Sequence, residues 1–309
     1  MPTPMPPIER IPLPLPAPED VVVAEGGQVY TALRDDGVLV ELPSGGSSAR
    51  VCAEIGGRGL GVELYGDGRL LVCNATMGLQ AVDPVTGRVE SLLSQIDGRP
   101  IGVCNNASVG RDGTVYFSES SRVHPLDHYR RDLIENTRSG QLLRWRPGTA
   151  PEPLLSGIAF ANGVVLSPEE DFVLLAETGL CQIHRYWLSG PRAGQADLFA
   201  ALPGFPDNLS LGTDGLFWAA IAAPRVATAE AIHKLPRPLR ALIARLPESL
   251  GPQAEKTCEV MAFDGEGQVV HHLRGDASRF HQVSGVREHN GVLWLGSIEE
   301  EALGRVVLR

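Results

Sequence analysis

Apolar and polar residues alternate along most of this chain in short runs broken by turn residues, the period-two signature of half-buried strands. Six segments share one form, an alternating run, a tight turn and a second apolar run: VVVAEGGQVYTAL, VELYGDGRLLVCN, ASVGRDGTVYFSE, VVLSPEEDFVLLAE, LSLGTDGLFWAAI and VREHNGVLWLGS. Their turns fall at Gly26-Gly27, Asp67-Gly68, Asp112-Gly113, Glu170-Asp171, Asp214-Gly215 and Asn290-Gly291. The Asp-Gly and Asn-Gly pairs predict type I′ hairpins, and only the fourth turn lacks glycine. A second strand pair follows most of them, as in GLQAVDPVTGRVESLL and CEVMAFDGEGQVVHHL. Four strands per unit and six units predict an all-β chain, a six-bladed β-propeller in one domain over residues 1–309.

Successive turns lie 41, 45, 58, 44 and 76 residues apart. A four-stranded blade takes about 40 to 50 residues, so two blades carry insertions, at 120–140 and 222–257. The second contains LRALIARL, apolar at helical spacing with Leu239, Leu242, Ile243 and Leu246 on one stripe. Both leave just after a hairpin's second strand, which allows a surface insertion or a lid over one face. For the stripe, the two readings are a lid across the channel mouth and a membrane-surface helix; the lid is the expectation. At the amino terminus, prolines at 12, 14 and 16 leave every missing N–H on one edge of an extended strand. An outermost strand from Ile8 to Leu15, closing the ring against the C-terminal blade, is expected; the alternative is a proline-rich tail.

Charge narrows the partners. A formal net charge of −10 disfavours phosphate backbones and anionic lipid, so nucleic acid is excluded and a membrane is not expected. Five scattered cysteines, none in a CxxC pair, signal neither a disulfide framework nor a zinc site. Neither a leader nor an apolar run of spanning length is evident, from which a cytoplasmic location is expected.

The chemistry emerges from the repeat. Seven residues before the turn stand Glu19, Asn105 and Asp207 in the first, third and fifth units, and eight before it stands Asn162 in the fourth. Innermost strands line the axis of a propeller, so equivalent positions form a ring and four oxygen-bearing side chains converge. Carboxylates and amides without His or Cys are the ligand set of a hard cation, and the loose geometry favours Ca2+ over magnesium. Asn208 extends the set as a further ligand and Asn106 as a partner that orients it. The second and sixth units offer Leu60 and Val283, with Ser284 beside the latter, leaving space for a substrate on that side.

These residues carry a resemblance. GRPIGVCNNASVGRDGTVYFSESS, FANGVVLSPEEDFVLLAET, LPGFPDNLSLGTDGLFWAAI and VREHNGVLWLGS resemble the calcium-dependent propeller hydrolases that include gluconolactonase, regucalcin and paraoxonase, and among them the strictosidine synthase-like branch. The resemblance implies calcium held by Glu19, Asn105, Asn162 and Asp207, and hydrolysis of a small-molecule lactone or ester at the metal. Asp207 is then the candidate base or nucleophile, with water activated by another group as the alternative. Strictosidine synthase places a catalytic glutamate where Ser284 stands here, which argues against a condensing enzyme. Paraoxonases use histidines near the metal; His124 and His128, in the first insertion, sit where a lid could bring one in. A non-catalytic propeller locked by calcium is the remaining reading.

Overall fold

The computed structural model describes residues 1–45, 48–246 and 255–308. Its strands form six four-stranded antiparallel blades around one axis. Blade one is Val22–Val23, Val29–Leu33, Val38–Leu42 and Arg50–Glu54; blade two is Gly59–Tyr65, Arg69–Asn74, Gly78–Val82 and Val89–Leu93. Blade three is Cys104–Val109, Val115–Glu119, Gly140–Trp145 and Glu152–Ile158; blade four is Ala161–Leu166, Phe172–Glu177, Gln182–Trp187 and Ala196–Ala201. Blade five is Gly204–Leu211, Phe217–Pro224, Glu259–Phe263 and Val269–Arg274. In blade six, Val283–His289, Val292–Ser297 and Ala302–Val307 are completed by Glu9–Pro12 from the other end of the chain.

That amino-terminal strand is the expected closure, shorter than the proline pattern suggested. Glu9 pairs with Arg305 and Pro12 with Ala302, antiparallel, and the Leu13 and Ala17 N–H groups bond the Glu301 and Glu300 carbonyls. Proline-free positions face the partner strand while Pro12, Pro14 and Pro16 are exposed, as an edge strand requires. One further edge was not foreseen: Thr3–Pro4 adds in parallel to the outer strand of blade five.

Apolar side chains fill the spaces between blades. Between blades four and five, Phe172, Phe199, Phe217 and Phe263 pack with ring centroids 5.7 to 6.1 Å apart. Between blades five and six, Trp218, Phe280 and Leu295 are fully buried.

The turns correct the expectation of type I′ hairpins in detail. Asp67-Gly68 and Asn290-Gly291 have positive φ at both residues, as type I′ requires, but at 112–113 and 214–215 only the glycine does. In blade three the Gly113 and Gly110 N–H groups bond the Gly110 and Thr114 carbonyls, a three-residue loop closed by a left-handed glycine. Blade four fills the same left-handed position with Glu170, at φ 55°. Counted from the left-handed residue, Gly27, Gly68, Gly113, Glu170, Gly215 and Gly291 each follow their axial position by the same eight residues. The odd spacing of Asn162 disappears.

Both insertions leave from one end of the propeller. Glu119 lies opposite Cys104 in register, and Pro224 opposite Gly204, so the chain departs beside the start of each inner strand. The first insertion carries helix α1, Tyr129–Glu135; the second carries α2, Ala227–His233, and α3, Arg237–Ile243. The second begins at Arg225, because the strand runs to Pro224 instead of ending near Ala222; its residues 247–254 lie outside the described residues. Helix α1 abuts α2 and α3, and the His233 Nε2 lies 2.8 Å from the Leu133 carbonyl oxygen.

Candidate metal centre on the propeller axis

The inner strands of five blades share one irregularity, and it falls at the same place in each. Strand register breaks between Gly59 and Val62, Cys104 and Ala107, Ala161 and Val164, Pro206 and Leu209, and Val283 and Gly285. Such a break frees residues from the ladder and re-aims them. The residues freed include Asn105, Asn162, Asp207 and Asn208. A glycine then lets the neighbouring inner strand approach: a Cβ on Gly163 would stand 2.2 Å from the Leu209 nitrogen and 2.7 Å from the Asp207 oxygen. Gly61 meets Asn105 and Asn106 in the same way, and Gly285 meets Glu19 and Asp20.

The result is a set of oxygens without partners. Glu19 Oε2, Asn105 Oδ1, Asn162 Oδ1, Asp207 Oδ1 and Asn208 Oδ1 are all sealed from solvent, and none accepts a hydrogen bond. Asp207 as a whole keeps intermediate exposure, but this oxygen does not. An unsatisfied buried polar atom costs about 1–3 kcal/mol, so five converging from four blades are hard to sustain without a common partner. Among the described residues no cluster of three or more His, Cys, Asp or Glu forms a metal site; two carboxylates with amide oxygens are a calcium-type donor set. The residues present therefore fit a hard cation.

Neighbours fix the donors. The Asn162 Nδ2 donates to Thr178 Oγ1 at 3.2 Å, and Thr178 donates to the Pro206 carbonyl at 2.7 Å, which settles which end of the amide is free. Ser284 donates its hydroxyl to the Glu19 carbonyl at 2.7 Å. It thus holds the Glu19 backbone and does not line a pocket. Asn106 lies one level deeper than expected. Its Nδ2 donates to Asp20 Oδ2 at 3.0 Å and its Oδ1 accepts from the Val164 N–H at 2.8 Å. Asp20 also accepts from the Val62 N–H at 3.2 Å, so one buried pair ties blades one to four beneath the donors.

Electrostatics point the same way. Burial, then the negative charge of Asp207, pushes the Glu19 carboxyl well above the usual carboxylate range. Burial pushes Asp207 up to about 7, against the neighbouring Asn162 amide, and Asp20 up to about 6, against Arg287. Arg34 opposes the shift in both Glu19 and Asp207. It begins a string of charges: Arg34 pairs with Asp35 at 2.8 Å, Asp35 with Arg58 at 2.9 Å, and Arg58 with Asp127 at the start of the first insertion.

Because these two carboxyls hold protons more tightly in the metal-free site than in water, cation binding must release them, and affinity must rise with pH. Titration calorimetry at pH 8 and pH 6 is expected to show calcium binding at least about tenfold weaker at the lower pH, since the Asp207 proton alone, released near pH 7, contributes that factor. Equal affinities would mean that Glu19 and Asp207 do not share the cation.

The remaining positions form a wall. Leu60, Ala75 and Val103 make an apolar cluster against which Leu126 of the first insertion packs, and Tyr129 lies 6.4 Å, ring to ring, from Phe160, two residues before Asn162. The two histidines do not enter. His124 Nε2 lies 3.3 Å from Glu135 Oε2 within its own insertion, without hydrogen-bond alignment, and His128 is exposed. Asp20, Arg34 and Thr178 escaped the repeat argument because the first two flank one blade's pattern and the third is an ordinary strand-end threonine.

The six-bladed propeller is the fold of known solved structures. Regucalcin from Agrobacterium tumefaciens, titled a calcium-binding protein, superposes with a TM-score of 0.66 at 14% identity over 96% of this chain and 92% of its own. A gluconolactonase from Xanthomonas campestris superposes at 0.63 with 16% identity, covering 99% of each chain. A family model described as strictosidine synthase matches residues 105–191, and one described as strictosidine synthase-like, N-terminal, matches residues 6–42. The adipocyte plasma membrane-associated protein of Rattus norvegicus is 32% identical over 94% of this chain and 78% of its own length. Protein strictosidine synthase-like 13 of Arabidopsis thaliana is 31% identical over 78% of this chain, which spans only 59% of that relative. The chain belongs to the strictosidine synthase-like family.

Proposed function

We propose that this chain is a calcium-dependent hydrolase of lactones or esters. The observation that carries the reading is the set of five partnerless buried oxygens from Glu19, Asn105, Asn162, Asp207 and Asn208. The fold it shares with a gluconolactonase and with a calcium-binding regucalcin supports it. Calcium held there would supply Lewis-acid polarisation of a substrate carbonyl. The chain's own residues do the rest. Asp207 carries the base: its carboxylate takes a proton from a water that adds to the carbonyl carbon and returns it to the alkoxide released when the acyl C–O bond breaks. As nucleophile it would expel the same alkoxide and leave an acyl-enzyme that water then opens. Thr178 keeps the Asn162 oxygen turned to the axis, and Ser284 keeps Glu19 in place. Leu126, half-buried on the fully buried Leu60, gives the acyl or ring portion of a substrate an apolar surface and excludes water from that side. The first insertion, which sets Leu126 against this wall and is tied to the rim through Asp127 and Arg58, serves as the lid.

The reading is tested with a panel of γ- and δ-lactones and phenyl acetate. Turnover is expected to vanish with EDTA and return with calcium. If the chelator lowers the melting temperature and no substrate in the panel turns over, the cation locks the blades and the propeller is a binding protein.

A further inference from the structure

The leucine stripe of the second insertion does not lie across the channel mouth. Leu235, Leu239, Leu242 and Leu246 are 37%, 48%, 62% and 47% exposed. The helical turns continue past α3 through the bond from the Leu246 N–H to the Ile243 carbonyl, 3.0 Å. Helical spacings of three and four residues therefore put Leu239, Leu242 and Leu246 on one outward side, with Leu235 exposed just before the helix. Arg240 and Ala244 face inward instead, the first with its Nε buried and the second 5% exposed. Lys234, Arg237 and Arg245 stand exposed around the stripe and make no ion pair among the described residues, whereas Arg225 pairs with Glu230 at 3.1 Å.

We infer that the protein docks through this stripe onto a lipid surface carrying anionic head groups. A helix with leucines on one side and lysine and arginine at its edges is the pattern that sinks its apolar side into the head-group boundary while the basic stems reach phosphate. Charge supports lipid over a second copy. Residues 222–257 hold six basic and three acidic side chains in a chain of net charge −10, so this segment is locally positive and can attract an anionic surface. A two-fold contact between copies would set the same basic patch against itself. The insertion leaves from the end of the propeller where Asp207 stands, so docking turns the mouth of the axial site toward the lipid. The inference does not depend on hydrolase activity.

The test is co-sedimentation of the full chain with vesicles of phosphatidylcholine alone and of equal parts phosphatidylcholine and phosphatidylserine. Partition onto the anionic vesicles is expected to be at least about tenfold stronger and to weaken with salt. Leu239→Ser/Leu242→Ser/Leu246→Ser should abolish it with melting temperature and calcium affinity unchanged, and Arg237→Ala/Arg245→Ala should remove the preference for anionic lipid. Leu242→Ser alone, at the most exposed position, should weaken partition several-fold and guards against misfolding of the triple variant. The inference is overturned if the parent chain stays in the supernatant or the leucine variants bind as it does. It is equally overturned if sedimentation velocity shows a leucine-dependent dimer, or if the triple variant changes only which soluble lactones are accepted.

Discussion

Asp207→Asn is expected to lower turnover of the best lactone by about a hundredfold or more, the range of a lost general base, while the fold survives. The substitution keeps an oxygen at the axis and the volume of the side chain, but removes the charge and the basic atoms. Folding should not suffer in the metal-free protein. Burial raises the folded pKa of Asp207 to about 7, above its unfolded value, so the ionised form is the disfavoured one in the native state. The cost of that ionisation grows as pH rises from about 4 to about 7, and asparagine does not incur it. The metal-free variant should therefore melt no lower than the parent at pH 7, and lose any advantage near pH 4. Rate and stability move in opposite directions, which separates a chemical role from a structural one. Turnover near that of the parent chain would place the base elsewhere.

Glu19→Ala and Asn162→Ala should each weaken calcium binding by about tenfold or more, because each deletes one oxygen from a set that has few to spare. Glu19→Ala should be the more severe, since it also removes one of only two negative charges facing the cation. It relieves Asp207 of a like charge at the same time, so calcium binding by the variant should depend less steeply on pH. Calorimetry reads both effects. Unchanged affinity in both variants would remove the axial centre and the proposed activity with it.

Much of this was legible in the sequence, and for a definite reason. Equivalent residues of a repeat occupy equivalent places, so counting back from the turns found Glu19, Asn105, Asn162 and Asp207 without coordinates. The count faltered by one in the fourth unit because the turn was located by composition. The left-handed position held by Glu170 shows the spacing to be uniform, and a glutamate there carries no compositional mark. Direction was harder to read than position. Ser284 reads in sequence as a residue beside the ligands or the pocket, and its hydroxyl is spent on the Glu19 backbone carbonyl. The stripe of α3 reads in sequence as Leu239, Leu242, Ile243 and Leu246, but Ile243 is half-buried while the three leucines are exposed; periodicity says which residues share a side and not whether that side meets protein or solvent. Likewise, Asp20 was invisible because its partners, Asn106 and the Val62 N–H, come from two other blades.

The clasp between the two ends of the chain sets a condition on biosynthesis. Glu19 follows the strand Glu9–Pro12 by only a few residues, and its backbone is held by Ser284 and by the bond from the Ser297 N–H to Pro18 at 2.6 Å. Glu19, the first of the five donor residues to leave the ribosome, meets blade one early through the bond from its N–H to the Ala32 carbonyl, 3.3 Å, but gains the partner of its own carbonyl only with the final blade. A nascent chain interrupted after five blades would already contain all five donor residues, with Glu19 held from blade one alone. On the proposed axial centre, full cation affinity would then report that translation has run through its last blade.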